Sequence, residues 1–167
     1  MRVQADSMHE IVARAHGHGK VTVVGGPAPT TSPGEYGDAD IVFQGEAEGR
    51  IDTLVAAVAS AVAAGERKDG RHVVLSADGR PAPAMTSSPT PRFDLLKLRR
   101  YDTMSVQTSR GCPYRCEFCD IIEIFGRVPR IKSAAQVMGE LAALHALGWR
   151  GAVFVVDDNF IGNRPAV

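Results

Sequence analysis

Apolar residues recur along the chain with two alternating periods. Met8, Ile11, Val12 and Ala15 fall at helical spacing, and Gly17 and Gly19 close that helix. Val21-Thr-Val-Val24 is a β-branched run bounded by glycines, which predicts a short buried strand. A Gly-, Pro-, Thr- and Ser-rich loop covers 25–37, and Ile41-Val-Phe43 predicts a second strand. Ile51, Leu54, Val55, Val58 and Val62 then mark an amphipathic helix that ends near Gly65. Two strand–helix units in succession imply a parallel, doubly wound sheet, for which two strands are few.

The pattern changes at Glu66. His72-Val-Val-Leu75, followed by Ser-Ala-Asp-Gly and Arg80, reads as a small hairpin turning at Asp78-Gly79. Pro81, Pro83, Pro89 and Pro91 predict an extended linker, with Arg92, Lys97, Arg99 and Arg100 as a solvated basic end. Alternation then resumes. A strand is expected over Met104 to Thr108, and Ser133 with Gln136 forms a capping box that opens a helix. Val137, Leu141, Leu144 and His145 line one face of it, and Gly148 ends it. Ala152-Val-Phe-Val-Val156 is apolar throughout, as a strand covered on both faces should be. The boundaries are therefore an α/β segment over 1–65, a hairpin and Pro-rich linker over 66–103, and one and a half β/α units over 104–167.

The 167 residues carry 19 basic and 19 acidic side chains and are 44% hydrophobic. A zero net charge gives no overall attraction to nucleic acid, and the apolar content is too high for a disordered chain. No run reaches the roughly 20 apolar residues of a membrane span, and the first residues do not resemble a secretory leader. A cytoplasmic protein is expected. The His residues at 9, 16 and 18 read as solvated positions on a surface helix.

All three cysteines fall in one short stretch, Cys112-x3-Cys116-x2-Cys119. An odd, clustered set argues against a disulfide framework and for soft-metal ligation. Three thiolates on a cubane leave one iron open to a ligand. A zinc site would need a fourth ligand such as His145, and incidental free thiols are the plain alternative. The loop follows a strand directly, which places it at the end where β/α barrels hold their chemistry.

Ser109-Arg-Gly-Cys-Pro-Tyr-Arg-Cys-Glu-Phe-Cys119 resembles the signature of radical S-adenosylmethionine enzymes. Asp120 to Arg130 and Val153 to Gly162 are similar to the branch with an N-terminal cobalamin-binding domain, the group that includes the hopanoid methylases. Gly25-Gly-Pro27 with its Thr/Ser loop, and Phe43-Gln-Gly-Glu46, resemble the last part of that cobalamin domain. The implied fold is the C-terminal part of a Rossmann-like cobalamin-binding domain, followed by the first β/α units of a partial TIM-type barrel.

The resemblance implies a 4Fe–4S cluster on Cys112, Cys116 and Cys119. S-adenosylmethionine would occupy the open iron, and its reductive cleavage would give a 5′-deoxyadenosyl radical for cobalamin-dependent methyl transfer to an unactivated carbon. Phe118 would lie near the adenine. Asp157, Asp158 and Asn159 would contact the methionyl ammonium, or else serve as a helix N-cap or a solvated loop end. Gly25, Gly26 and Glu46 would face cobalamin. A small-molecule or lipid-like substrate and an electron donor such as flavodoxin or ferredoxin are implied partners. The other readings are a non-catalytic iron–sulfur or zinc module and a cobalamin-binding sensor. On the enzyme reading, the strand Ala152 to Val156 would lack a neighbour on one side, and the chain is expected to be poorly stable and inactive on its own.

Overall fold

In a computed structural model, residues 4–65, 72–76, 79 and 81–160 are described. The chain divides into two compact units, Met1–Ala82 and Pro83–Val167. Both are α/β with parallel strand pairing.

The first unit runs α1 (Ala5–Gly17), β1 (Val23–Gly25), α2 (Pro27–Thr31), β2 (Ile41–Phe43), α3 (Ile51–Ala64) and β3 (Val73–Leu75). Its strands form a parallel sheet in the order β1-β2-β3, with Ile41 level with both Val23 and Val73. Ile41, Val42 and Phe43 are all buried, because the central strand has neighbours on both edges. β1 differs from the expected buried strand: it is an edge, and Val23 is exposed. β3, the first arm of the expected hairpin, is the third parallel strand. Asp78 of its Asp78-Gly79 turn, and Arg80 beyond it, lie outside the described residues.

Two histidines correct the expectation of a solvated helix. His9 Nδ1 lies 2.7 Å from an Asp38 carboxylate oxygen, and His16 Nε2 lies 2.9 Å from Asp40 Oδ2. Asp40 also accepts from the Thr22 backbone N–H at 2.7 Å and from its hydroxyl at 2.9 Å. The pattern of apolar positions cannot show such pairs, because the aspartates approach from 24 and 29 residues away. Partial burial pushes Asp40 up, but the Thr22 N–H, the His16 ring and the Thr22 hydroxyl outweigh it. They hold Asp40 below its ordinary value of 3.8.

A carboxylate whose folded value is lowered stabilises the fold above its unfolded value, and that contribution disappears as pH falls through the folded value. Urea unfolding at pH 7 should therefore show Asp40→Asn less stable by about 1 kcal/mol. The gap should close below pH 3.8, where wild type is losing the same charge. A gap that stays constant with pH would exclude this role.

The second unit runs β4 (Thr103–Val106), β5 (Ser109–Arg110), α4 (Ile121–Phe125), β6 (Arg130–Ile131), α5 (Ala134–Ala146) and β7 (Ala152–Val155). β4 and β7 are parallel, with Met104 level with Val153 and Val106 with Val155. Parallel pairing needs a crossover between the strands, which α5 lies within. Alternation on β4 turns Met104 and Val106 inward, where they pack with Phe93 and Leu144 and against Leu141, Trp149 and Val153. β7 was expected to be covered on both faces. Among the described residues only Val153 meets the core, and Phe154 stays 62% exposed.

The Pro-rich stretch is not uniformly extended or solvated. Met85 and Phe93 are buried, each in a 3₁₀ turn. Gln136 caps α5 together with Ser133, and its amide also donates to the carbonyls of Met85, Thr86 and Ser88. The basic end of the stretch is in part self-neutralised, since Arg92 makes two 2.7 Å contacts to the Asp94 carboxylate. None of the described helices is long and apolar enough to cross a membrane.

Candidate metal and cofactor site

The cysteines lie on a loop whose base is clamped. It leaves β5 through Gly111, passes Cys112, Cys116 and Cys119, forms the short helix α4 and returns through β6. β5 and β6 pair antiparallel, Ser109 with Ile131 and Arg110 with Arg130, and the Lys132 N–H donates to the Thr108 carbonyl at 2.8 Å. Inside that clamp the Cys112 N–H donates to the Gly126 carbonyl at 3.2 Å, and the Cys119 N–H to the Cys116 carbonyl at 3.2 Å. Arg130 donates to the carbonyls of Pro83 and Phe125. Neither the small β5–β6 ladder nor α4 is visible in the hydrophobic pattern, because each is too short to show a period.

Gly111 is required where it stands. Its φ is +93°, and a Cβ there would come within 2.9 Å of the Val128 carbonyl oxygen and 3.0 Å of that of Gly126. Both neighbours are backbone and cannot rotate away, so any side chain would push the first ligand out of place.

The second wall of the site is the C-terminal end of β7. Asp157 accepts from the Thr108 N–H at 2.6 Å, from the Thr108 hydroxyl, and from the Ser109 hydroxyl at 2.8 Å. This carboxylate fastens β7 to the start of the cysteine loop. Asp158 is exposed, and partial desolvation of its carboxyl first, then the Asp157 charge, raise it from its ordinary value while Arg110 opposes the rise. A carboxylate held up in this way gains from an arriving cation. Asn159 donates its amide N–H to Cys112 Sγ at 3.5 Å. Phe118, at 89% exposed, stands away from the core. Strand pairing thus brings Asp157, Asp158 and Asn159 to the cysteine loop across 47 to 49 residues of sequence.

The cysteines are free thiols, half-buried at 112 and 119 and exposed at 116. Among the described residues no three His, Cys, Asp or Glu side chains converge as a metal site, and His145 is exposed in the last turn of α5. Ligands of metal-coupled sites gather around the metal as it binds. The donor set itself fits a 4Fe–4S cluster with one open iron: three soft thiols on one loop, none tied in a disulfide. A four-ligand zinc site would need a fourth donor besides the three thiols.

In the first unit, Gly25 ends β1 and Gly26 follows at φ +106°, while Glu46 sits half-buried in the loop after β2. All three are therefore at the C-terminal ends of adjacent parallel strands, where open α/β sheets bind ligands. The two loops are tied together: the Thr30 hydroxyl donates to the Gly26 carbonyl and accepts from the Gly45 N–H, and Gln44 donates to the Thr30 carbonyl. Arg50, unremarked in the sequence pattern, is buried over the Phe43 ring and donates to the carbonyls of Gln44, Leu75 and Ser76. A cleft of about 170 Å³ opens beside Gly25, lined by Met8, Val24, Pro27, Pro29 and Tyr36 among others.

No family model matches the chain. It is 46% identical over its whole length to an uncharacterized methyltransferase of Synechocystis, of which it spans 30%. It is 39% identical over 99% of its length to the hopanoid C-2 methylase of Rhodopseudomonas palustris, again 30% of that protein. Identity to the hopanoid C-3 methylase of Methylococcus capsulatus is 31%, over 71% of this chain and 24% of that protein. The chain therefore spans about 30% of the length of the first two of these relatives.

Proposed function

The chain belongs to the family of the hopanoid methylases, and from that premise we propose that its cysteine loop holds the 4Fe–4S cluster of a radical S-adenosylmethionine enzyme. The observation that carries the reading is the set of three free thiols, Cys112, Cys116 and Cys119, on a clamped loop at the C-terminal end of the parallel pair β4–β7. The proposed reaction of the whole enzyme is cobalamin-dependent methyl transfer to an unactivated carbon of a small or lipid-like molecule. An external one-electron donor of the flavodoxin or ferredoxin type supplies the reducing equivalent.

When bound, the cluster with S-adenosylmethionine at its open iron supplies the electron that cleaves the sulfonium carbon–sulfur bond. The chain's own residues position and shield. Cys112, Cys116 and Cys119 ligate three irons. Asp158, held up by desolvation and the Asp157 charge against the pull of Arg110, receives the methionyl ammonium as a charge-assisted pair. Asp157 keeps that strand end locked to Thr108 and Ser109 while the ligand is held. Phe118 packs on the adenine side, which gives a large exposed aromatic a role. Gly25, Gly26 and Glu46 face the cobalamin, with the glycine backbone allowing close approach.

Anaerobic reconstitution with iron and sulfide tests this. About four irons per chain should bind, and the electron paramagnetic resonance spectrum of the reduced cluster should change when S-adenosylmethionine is added. Stoichiometric zinc without iron, or a spectrum indifferent to S-adenosylmethionine, would sink the proposal.

A further inference from the structure

We propose that Asn159 is a positioning residue that sets the reduction potential of the cluster through Cys112. The inference deepens the reading above and rests on it. Asn159 Nδ2 donates to Cys112 Sγ at 3.5 Å, from 47 residues away in sequence. Among the described residues Cys112 alone of the three cysteines receives a hydrogen bond at sulfur.

Both ends of the contact are anchored. Two residues before Asn159, Asp157 is locked to Thr108 and Ser109. On the other side, the Cys112 backbone N–H is tied to the Gly126 carbonyl, and Gly111 is wedged against backbone. Asn159 and Cys112 are both half-buried, so water competes less for the sulfur than it does at exposed Cys116.

The consequence is electrostatic. A thiolate ligand carries more negative charge when its cluster is reduced than when it is oxidised. An N–H aimed at that sulfur stabilises the reduced state more, and so raises the potential. The asymmetry also makes the iron held by Cys112 distinct from the other two. A strand-end asparagine is thus assigned to the ligand shell rather than to the methionyl group of S-adenosylmethionine.

The test uses the anaerobically reconstituted chain and Asn159→Leu, which keeps roughly the shape and removes the donor. A redox titration followed by electron paramagnetic resonance should show the variant harder to reduce. The expected shift is about tenfold in the one-electron equilibrium, which corresponds to 59 mV, with iron and sulfide content unchanged. An unchanged potential at equal iron content overturns the inference.

A second measurement stands if the variant does not hold its cluster. Wild-type chain labelled with ¹⁵N-asparagine should give a nitrogen coupling to the reduced cluster in pulsed electron paramagnetic resonance, altered against the unlabelled chain. Absence of that coupling overturns the inference as well. Failure of the wild-type chain to take up iron and sulfide is a separate result, and it removes the reading on which the inference rests.

Discussion

Alanine at Cys112, Cys116 or Cys119 is expected to reduce iron retained after anaerobic reconstitution to background, whereas alanine at His145 should leave it unchanged. Three protein thiolates are the minimum that holds a cubane while leaving one iron open, so the loss of any one leaves two irons without protein ligands. The neighbouring Glu117 and Asp120 are hard oxygen donors that suit an iron–sulfur cluster poorly, so they are no equivalent substitute. The three variants should also report their different settings. Cys116 is exposed, and its alanine variant should keep wild-type unfolding behaviour in the apo chain. Cys112 is half-buried beside Asn159, and its loss should cost some apo stability too. The measurement is iron and sulfide content by colorimetry, beside urea unfolding of the apo proteins. Retention of a full cluster by any single alanine variant would show that the loop is not the ligand set.

Lys132→Met is expected to destabilise the second unit by about 3–5 kcal/mol, a large part of the 5–15 kcal/mol that holds a typical domain together. Lys132 Nζ lies 2.6 Å from Glu140 Oε1, with side chains 6% and 2% exposed. Removing the ammonium strands a carboxylate in the core, where no water can take its place. Among the described residues Glu140 Oε2 has no hydrogen-bond partner even in the intact pair, so the bridge is incompletely satisfied there. For that reason the double variant Lys132→Met/Glu140→Leu should recover most of the loss, because an apolar pair of similar volume carries no desolvation cost. Chemical denaturation of the two single variants and the double variant closes the cycle. Additive losses would show that the pair is not coupled. Lys132 also ends the clamp at the base of the cysteine loop through its backbone N–H to Thr108. The single variant should therefore release iron faster than the double.

The elements with a full period were legible in the chain. The capping box at Ser133 and Gln136 opens α5 where the pattern places it, and the β-branched runs at Ile41 and Ala152 are strands. Burial was less legible. Val23 and Phe154 read as core and are exposed, because edge position in a sheet depends on partners far away in sequence. Met85 and Phe93 read as linker and are buried, because an isolated apolar residue among prolines carries no period. Glu140 was hidden on an otherwise apolar face, between Val137 and Leu144. A charge at that register was itself the available signal for a buried pair.

Local chemistry was decided by sequence alone: three soft thiols at x3 and x2 spacing, a glycine before the first, and helices and strands in βα order. These depend on neighbours within a turn or a loop, so the chain specifies them without help from elsewhere. Tertiary structure alone decided what faces that loop. Parallel pairing of β4 with β7 brings Asp157, Asp158 and Asn159 to the cysteines, and sends one carboxylate into a clamp, leaves one raised, and turns one amide onto a sulfur. Residues nearly fifty positions apart meet only through strand register, and register is set by burial across the whole unit rather than by any local preference.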